Sequence, residues 1–437
     1  MTSTRVGQDI STMGGKTAAP ERPPEQQRRA LRKAFAASLS GTALEYYDFA
    51  LYGSAAALVF GPLFFSPGHP MTGLFASFAT YAFGYVARPL GGVVFGRLGD
   101  IIGRKKVLVA TLLLVGLCTF LIGLLPTYAS VGVLAPALLV MLRFAQGVGV
   151  GGEWAGAVLI TSELSPENER GFWSSAAQIG PPAGTLLANG VFALLTIFPE
   201  PMFQTWGWRV AFLLSAVLVG FGLWVRTRVE ETPTFRKLAS SGMRPSAPVT
   251  EVLRSQRRAL AAAILARVGP DVLYSMFAVF VLAYAHQKLG LTRTQAVTAV
   301  VSGSAPQLLM VPMSGWLSDR WGRKRIYAAG AVGAALWTVG FFQLATDFPS
   351  LVVGVVGALI FHSLMYGPQA AFIAEQFPAH LRSTGSSLGY TFAGLVGGAI
   401  APLVFTTLLD RGPAWSIGVY IVFACTMTLA GLWLGRR

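Results

Sequence analysis

Gly96-Arg-Leu-Gly-Asp100-Ile-Ile-Gly103-Arg104-Lys105-Lys106 returns 219 residues later as Gly315-Trp-Leu-Ser-Asp319-Arg320-Trp-Gly322-Arg323-Lys324-Arg325. A second pair, Glu163-x-x-Pro166-x-x-x-Arg170-x-x-x-Ser174-Ser175 and Glu375-x-x-Pro378-x-x-x-Arg382-x-x-x-Ser386-Ser387, lies 212 residues apart. Both offsets are close to half of the 437 residues, so the chain contains its own second copy. Each repeated loop is flanked by apolar sequence, and those flanks decide the fold.

Outward from the loops, apolar stretches of about 20 to 28 residues follow one another, the length that crosses a bilayer core as helix. They fall near 35–64, 72–95, 107–125, 133–161, 172–197, 208–226, 259–285, 295–316, 326–345, 350–374, 384–408 and 414–435. Equivalent loops after spans 2 and 8, and again after spans 4 and 10, mean two parallel six-helix bundles. The expected organisation is an unstructured cytoplasmic tail over 1–33, a first bundle over 34–226, a cytoplasmic linker over 227–258, a second bundle over 259–435 and a cytoplasmic end at 436–437. The fold class is thus all-α and polytopic, with twelve transmembrane helices in two pseudo-symmetric halves. Cys118 and Cys425 lie in apolar runs and read as small buried hydrophobes.

Composition agrees, and charge gives the orientation. The chain is 53% hydrophobic and only 12% charged, yet carries a formal charge of +15; a soluble chain is about a quarter charged. Of 34 Lys and Arg, 27 fall in the two termini, the central linker and the loops on one side, while three (Lys288, Arg293 and Arg411) fall on the other. Positive charge stays cytoplasmic, so both termini face the cytoplasm. The same scatter of short basic clusters beside apolar spans argues against nucleic acid as a partner, and leaves the anionic lipid face as the basic residues' surroundings.

The loops quoted above resemble the signature of the major facilitator superfamily in both copies. A second set of motifs is more specific: Gly41-Thr-Ala-Leu-Glu45-Tyr-Tyr47-Asp48-Phe49-Ala-Leu-Tyr52-Gly53, Ala87-Arg88-Pro89-Leu90-Gly91-Gly92, Arg143-Phe-Ala-Gln146-Gly147-Val-Gly149-Val-Gly151-Gly152-Glu153-Trp154 and Gly207-Trp208-Arg209-Val-Ala-Phe212. These resemble the metabolite:proton symporter family, whose members carry proline and betaine, 2-oxoglutarate, citrate or shikimate, and the similarity runs from about residue 30 to 435. The first half and the 129–136 stretch look most like the shikimate-type branch. Two positions depart from the family pattern: Ile101 stands where the first loop usually has a basic residue, and Tyr47 where the family usually has Trp. The resemblance implies a functional monomer in the cell's inner membrane, driven by the proton gradient with no cofactor and no metal.

Ionisable residues inside spans carry the mechanism, because charge in a bilayer is costly enough to mark function. Seven stand out: Glu45 and Asp48 in span 1, Arg88 in span 2, Arg143 and Glu153 in span 4, and Arg267 and Asp271 in span 7. Four acids against three bases nearly cancel. At about 1.5 Å per residue, Asp48 and Arg143 both come to mid-depth. A symporter needs a carboxyl group whose proton affinity differs between access states, and a substrate that competes for a guanidinium can provide the switch. Asp48 with Arg143 fits that need, against the alternative of a fixed ion pair that only holds helices together. Glu45 and Glu153 lie toward the cytoplasmic half, as second proton sites or members of an ion-pair gate.

On the substrate side, Tyr47, Tyr52, Arg88, Arg143 and Gln146 are expected from the first half and Arg267, Asp271 and Tyr274 from the second, since a guanidinium fork suits a carboxylate. Arg88 is close enough to the cytoplasmic end to snorkel to head groups instead. Arg267 and Asp271 are also spaced for a pair on one helix. His362 and Gln307 read as buried helix-to-helix hydrogen bonds, and Tyr81 and Tyr85 as packing and interface residues. In the loops, the resemblance implies that Asp100, Arg104, Asp319, Arg320 and Arg323 tie neighbouring spans together as a cytoplasmic gate.

The leading expectation is proton-coupled uptake of a small organic acid or zwitterion by alternating access. Drug efflux is the rival within transport, of whose usual span-5 signature Gly180-Pro181-Pro182-Ala183-Gly184 keeps a fragment. A non-transporting membrane sensor would need a signalling domain that the short termini do not supply. Intramembrane catalysis lacks a nucleophile and base pair.

Overall fold

In the computed structural model of the chain, the described residues are 25–66, 69–102, 104–151, 158, 161–162, 164–228 and 248–436. The tail up to residue 24, Glu153 and most of the expected linker lie outside them. The described residues are helical, with no strand among them. The first half consists of α1 (Glu25–Leu58), α2 (Pro70–Val86, resumed as Arg88–Ile102), α3 (Arg104–Leu124), α4 (Leu134–Val150), α5 (Arg170–Leu195) and α6 (Glu200–Trp224). The second consists of α7 (Arg257–Gln287), α8 (Arg293–Trp321), α9 (Arg323–Leu344), α10 (Phe348–Glu375), α11 (Ala379–Arg411) and α12 (Trp415–Leu434). Residues 25–33, expected in an unstructured tail, are helical and belong to α1. A short helix, Pro248–Ser255, occupies the end of the expected linker.

Helices α6 to α12 are each long and apolar enough to cross a bilayer alone. Among the others, helix α1 carries Glu45 and Asp48 and α5 carries the buried Gln178 and Asn189, so both depend on their neighbours. Helix α2 breaks at Ala87, two residues before Pro89, whose ring and missing N–H interrupt the ladder. Buried polar side chains are satisfied between helices, as lipid demands: Ser54 Oγ donates to Asn189 Oδ1 across α1 and α5 at 2.7 Å, and Tyr327 Oη to the Ala266 carbonyl across α9 and α7 at 2.7 Å.

Helices α7 and α11 each widen by one π-type turn at mid-depth, over Ser275–Phe280 and Leu395–Ile400. The two wide turns touch, with Ser275 Oγ donating to the Gly397 carbonyl at 2.9 Å. Such turns free backbone groups and re-aim side chains, which is why they cluster at sites. Here they lie directly after Asp271 and Tyr274 and opposite Tyr85.

The halves meet along α5 and α8 and along α2 and α11. Toward the end away from the repeated loops, Phe78 packs on Phe280 with ring centroids 5.8 Å apart, Arg293 pairs with Glu200, and Thr294 bonds Thr196 at 3.1 Å. Deeper in, Gln178 Nε2 donates to Gln369 Oε1 at 2.9 Å, linking α5 to α10.

Close helix crossings depend on small residues. At Gly184 in α5, an added Cβ would lie 2.6 Å from the Ala43 carbonyl oxygen and from Tyr47 N of α1, while at Gly190 on the same helix nothing stands within 4 Å. Gly184→Ala is therefore expected to destabilise the protein by roughly 1–3 kcal/mol, and Gly190→Ala to be neutral or slightly stabilising. Thermal unfolding of the two variants in detergent checks the contrast.

Candidate functional site

Seen from the first half, the centre of the molecule is two guanidinium groups in an aromatic setting. Arg143, on α4, is fully buried, with its Cζ 4.0 Å from the ring centre of Phe49, 4.2 Å from that of Tyr52 and 4.9 Å from that of Tyr81. Its Nη1 donates to Gln146 Oε1 at 3.2 Å, and its Nε and Nη2 have no acceptor among the described residues. Arg88, on α2, stands 4.3 Å from the ring centres of both Phe49 and Tyr85, and its Nε and Nη2 also lack an acceptor. Gly84 makes room for this: a Cβ there would come within 2.6 Å of Arg143 Nε. Each desolvated cation-on-ring contact contributes up to about 2 kcal/mol, which holds the groups but leaves their hydrogen-bonding forks open.

Around them the polar side chains are ordered by one another. Gln146 Nε2 donates to Thr119 Oγ1 at 2.7 Å, and Tyr52 Oη to Thr80 Oγ1 at 2.8 Å. Asp48, 6% exposed, sits beside Thr119 and within electrostatic reach of Arg143, but no ion pair joins them among the described residues. The fixed pair considered above is thus not the arrangement found. Glu45 lies half-buried within electrostatic reach of Arg88.

The second half answers differently. Arg267 Nε binds Asp271 Oδ2 at 2.7 Å, one turn along α7, and its Cζ lies 3.3 Å from the Tyr390 ring centre on α11. This guanidinium is in a direct ion pair; among the described residues those of the first half are not. Tyr274 bonds Thr185 and donates to the Pro181 carbonyl at 3.3 Å, so α7 is tied to the proline-bearing middle of α5. His362 stacks between Tyr274 and Tyr366, at 5.2 and 4.7 Å, and Gln307 Nε2 meets its Nδ1 at 2.9 Å. Across the halves, the Tyr46 and Tyr390 hydroxyls bond each other, and Arg88 is within electrostatic reach of both and of Asp271.

Several expectations from sequence change position here. Tyr47 turns away from the centre, its hydroxyl donating to the Ala211 carbonyl of α6 at 2.9 Å; its neighbour Tyr46 faces the second half instead. Arg88 is 5% exposed and held between rings, so it does not snorkel. Tyr81 and Tyr85, expected as packing, are the platforms for Arg143 and Arg88. Tyr46, Tyr85 and Tyr390 belong to the centre and were not singled out as ligands, because an isolated tyrosine in an apolar span carries no sequence signal of the face it presents.

At the end of the bundle that carries the repeated loops, Asp319 of α8 accepts from the backbone N–H of Gly171 at 2.8 Å and of Phe172 at 2.9 Å, both at the start of α5. Arg323 Nη1 donates to Asp319 at 2.9 Å and its Nε to Glu375 at 2.7 Å, joining α9, α8 and α10. The carboxylate thus caps a helix N-terminus of the other half, where negative charge is favoured. Gly171 is needed for the approach, since a Cβ there would lie 2.5 Å from the Gly315 carbonyl oxygen. Arg320 is exposed and lies over the Trp316 ring at 3.9 Å, apart from this cluster. The side chains of Asp100 and Arg104 lie outside the described residues, as does Glu153.

Comparison with known proteins places this geometry. The pattern of the Major Facilitator Superfamily matches residues 35–402 and 271–437. The chain is 37% identical to the inner membrane metabolite transport protein YhjE of Escherichia coli K12, over 92% of this chain and 93% of that one. It is 36% identical to the shikimate transporter of the same strain, over 91% and 92%. A crystal structure of a D-xylose-proton symporter superposes with a TM-score of 0.70 at 18% identity, covering 93% of this chain and 97% of that one, which is a likeness of fold.

Removing the Asp319 carboxylate leaves two backbone donors of α5 and Arg323 Nη1 unanswered. Asp319→Ala is expected to weaken the cytoplasmic contact by roughly 1–3 kcal/mol, and Arg320→Ala to leave it unchanged. Spin-label distances between the cytoplasmic ends of α5 and α8 read this as a larger separated population in the first variant alone.

Proposed function

The chain belongs to the major facilitator superfamily and is a multi-pass membrane transporter related to metabolite carriers, and from there we propose that it takes up a small organic anion together with a proton by alternating access. The membrane is the inner membrane, with both termini cytoplasmic, and the working unit is the monomer. The observation that carries this reading is the contrast among the three central arginines. Arg267 is paired with Asp271 and leaves only Nη1 without an acceptor among the described residues, whereas Arg88 and Arg143 have no ion pair there and each leave Nε and Nη2 open. A substrate carboxylate is the partner that planar forks of this kind bind best.

The aromatic faces favour an anion over a betaine-like zwitterion. A quaternary ammonium group needs free ring faces to sit against, and Phe49, Tyr52, Tyr81, Tyr85 and Tyr390 each already carry a guanidinium. Tyrosine hydroxyls and Gln146 remain as hydrogen-bonding groups for a hydroxylated substrate body.

Electrostatics supplies the coupling. The described central residues hold three guanidinium groups against the carboxyl groups of Glu45, Asp48 and Asp271, so a bound substrate anion adds one unneutralised charge in a medium that penalises it. A proton entering with the anion restores the balance. Asp48, beside Thr119 and free of an ion pair among the described residues, is the carboxyl proposed to carry it. Rocking of one half against the other then exposes the loaded site on the opposite side, with the Asp319 cluster biasing the two states by a few kcal/mol.

Asp48→Asn is expected to abolish accumulation driven by a proton gradient while retaining exchange of substrate, and Arg143→Ala to abolish both. Uptake and counterflow of labelled small carboxylates in right-side-out and everted vesicles test this. Concentrative transport by Asp48→Asn contradicts the coupling role, and accumulation in everted vesicles alone contradicts uptake.

A further inference from the structure

Far from the central layer, at the cytoplasmic face of the second half, lies an open cavity of about 730 Å³. Its walls include Arg258 at the start of α7, Lys324 at the start of α9, and Leu429, Leu432, Trp433 and Arg436 at the end of α12. A smaller cavity of about 70 Å³ also has Arg258 and Arg436 in its wall. Three cationic side chains line the larger cavity, and no carboxylate side chain is among its lining residues.

The cations are positioned by the main chain. Arg258 Nε donates to the Leu434 carbonyl at 3.0 Å and Lys324 Nζ to the Gly435 carbonyl at 2.9 Å, while the backbone N–H of Arg436 donates to Gln376 Oε1 at 2.7 Å. Capping of α12 accounts for part of this, because a helix C-terminus carries about half a unit of negative charge. Among the described lining residues, three positive charges stand against that half unit. Trp433 is 82% exposed on a bilayer-facing helix, at its cytoplasmic end, the level where indole rings mark the membrane interface. Leu429 continues the apolar wall one turn deeper.

We propose that this groove is a headgroup site for an anionic phospholipid of the cytoplasmic leaflet. The phosphate lies among Arg258, Lys324 and Arg436, the glycerol and ester groups lie beside Trp433, and an acyl chain runs down past Leu429. Basic pockets between helices on the cytoplasmic side suit lipid phosphates of this kind, and the apolar wall distinguishes a lipid from free phosphate. Occupancy braces the cytoplasmic ends of α7, α9 and α12 against one another, and α7 is the helix that bears Arg267 and Asp271.

The test is native mass spectrometry of the delipidated full-length protein, offered phosphatidylglycerol, phosphatidylethanolamine or inorganic phosphate. Glutamine keeps a donor for the α12 carbonyls and removes the charge. At about 1 kcal/mol per basic residue, Arg258→Gln with Lys324→Gln is expected to lower phosphatidylglycerol retention on the order of thirtyfold. The matched pair Arg257→Gln with Arg325→Gln, outside the cavity lining, retains it. Should the first double variant fail to fold, Arg436→Gln alone is expected to lower retention about fivefold. Equal retention of phosphatidylethanolamine, equal loss in the two double variants, unchanged retention in Arg436→Gln, or displacement of the lipid by inorganic phosphate overturns the proposal.

Discussion

A guanidinium group that cannot reach water must be held by something else, and in the middle of this bundle it is held by aromatic faces. Rings attract the cation through their quadrupole yet make no hydrogen bonds to its fork. Arg88 and Arg143 are thereby kept charged, oriented and incompletely bonded at the same time. Much else follows from accommodating them: Gly84 gives Arg143 its space, the broken α2 positions Arg88, and Thr119, Thr80 and Gln146 order the polar rim.

The duplication makes the two halves alike in fold and unlike in chemistry. The second half spends its arginine on Asp271, and the first leaves its arginines open to a third party. Ends and centre also divide the work. At the end with the repeated loops, Asp319 reaches across to α5 backbone groups that a glycine-to-glycine approach exposes. The centre, by contrast, is soft: tyrosine hydroxyls meet across the halves through Tyr46 and Tyr390 and through Tyr274 and Thr185, bonds that can be exchanged for substrate at little cost.

The all-helical membrane fold and the twofold repeat were legible from hydropathy and the offset of the repeated loops. They depend on averages over many residues. Individual roles were legible where two charges share a helix, as with Arg267 and Asp271. They were not where the deciding fact is a rotation of a helix by one residue: Tyr47 was expected at the centre, but Tyr46 faces it. Nor does a sequence tell that Asp319 will find backbone donors on α5, since that follows from how the halves dock. The platforms Tyr81 and Tyr85 were hidden for a related reason, because an aromatic residue in an apolar span looks the same whether it faces lipid or a cation.

In the proposed cycle a substrate anion and a proton enter together and keep a buried, charge-balanced site neutral. Proteoliposomes holding a pH-sensitive dye, with no imposed gradient, test that most directly when a transported carboxylate is added outside and its entry is followed by isotope. The account predicts that the lumen acidifies in step with substrate entry. Substrate entry without luminal acidification would contradict it.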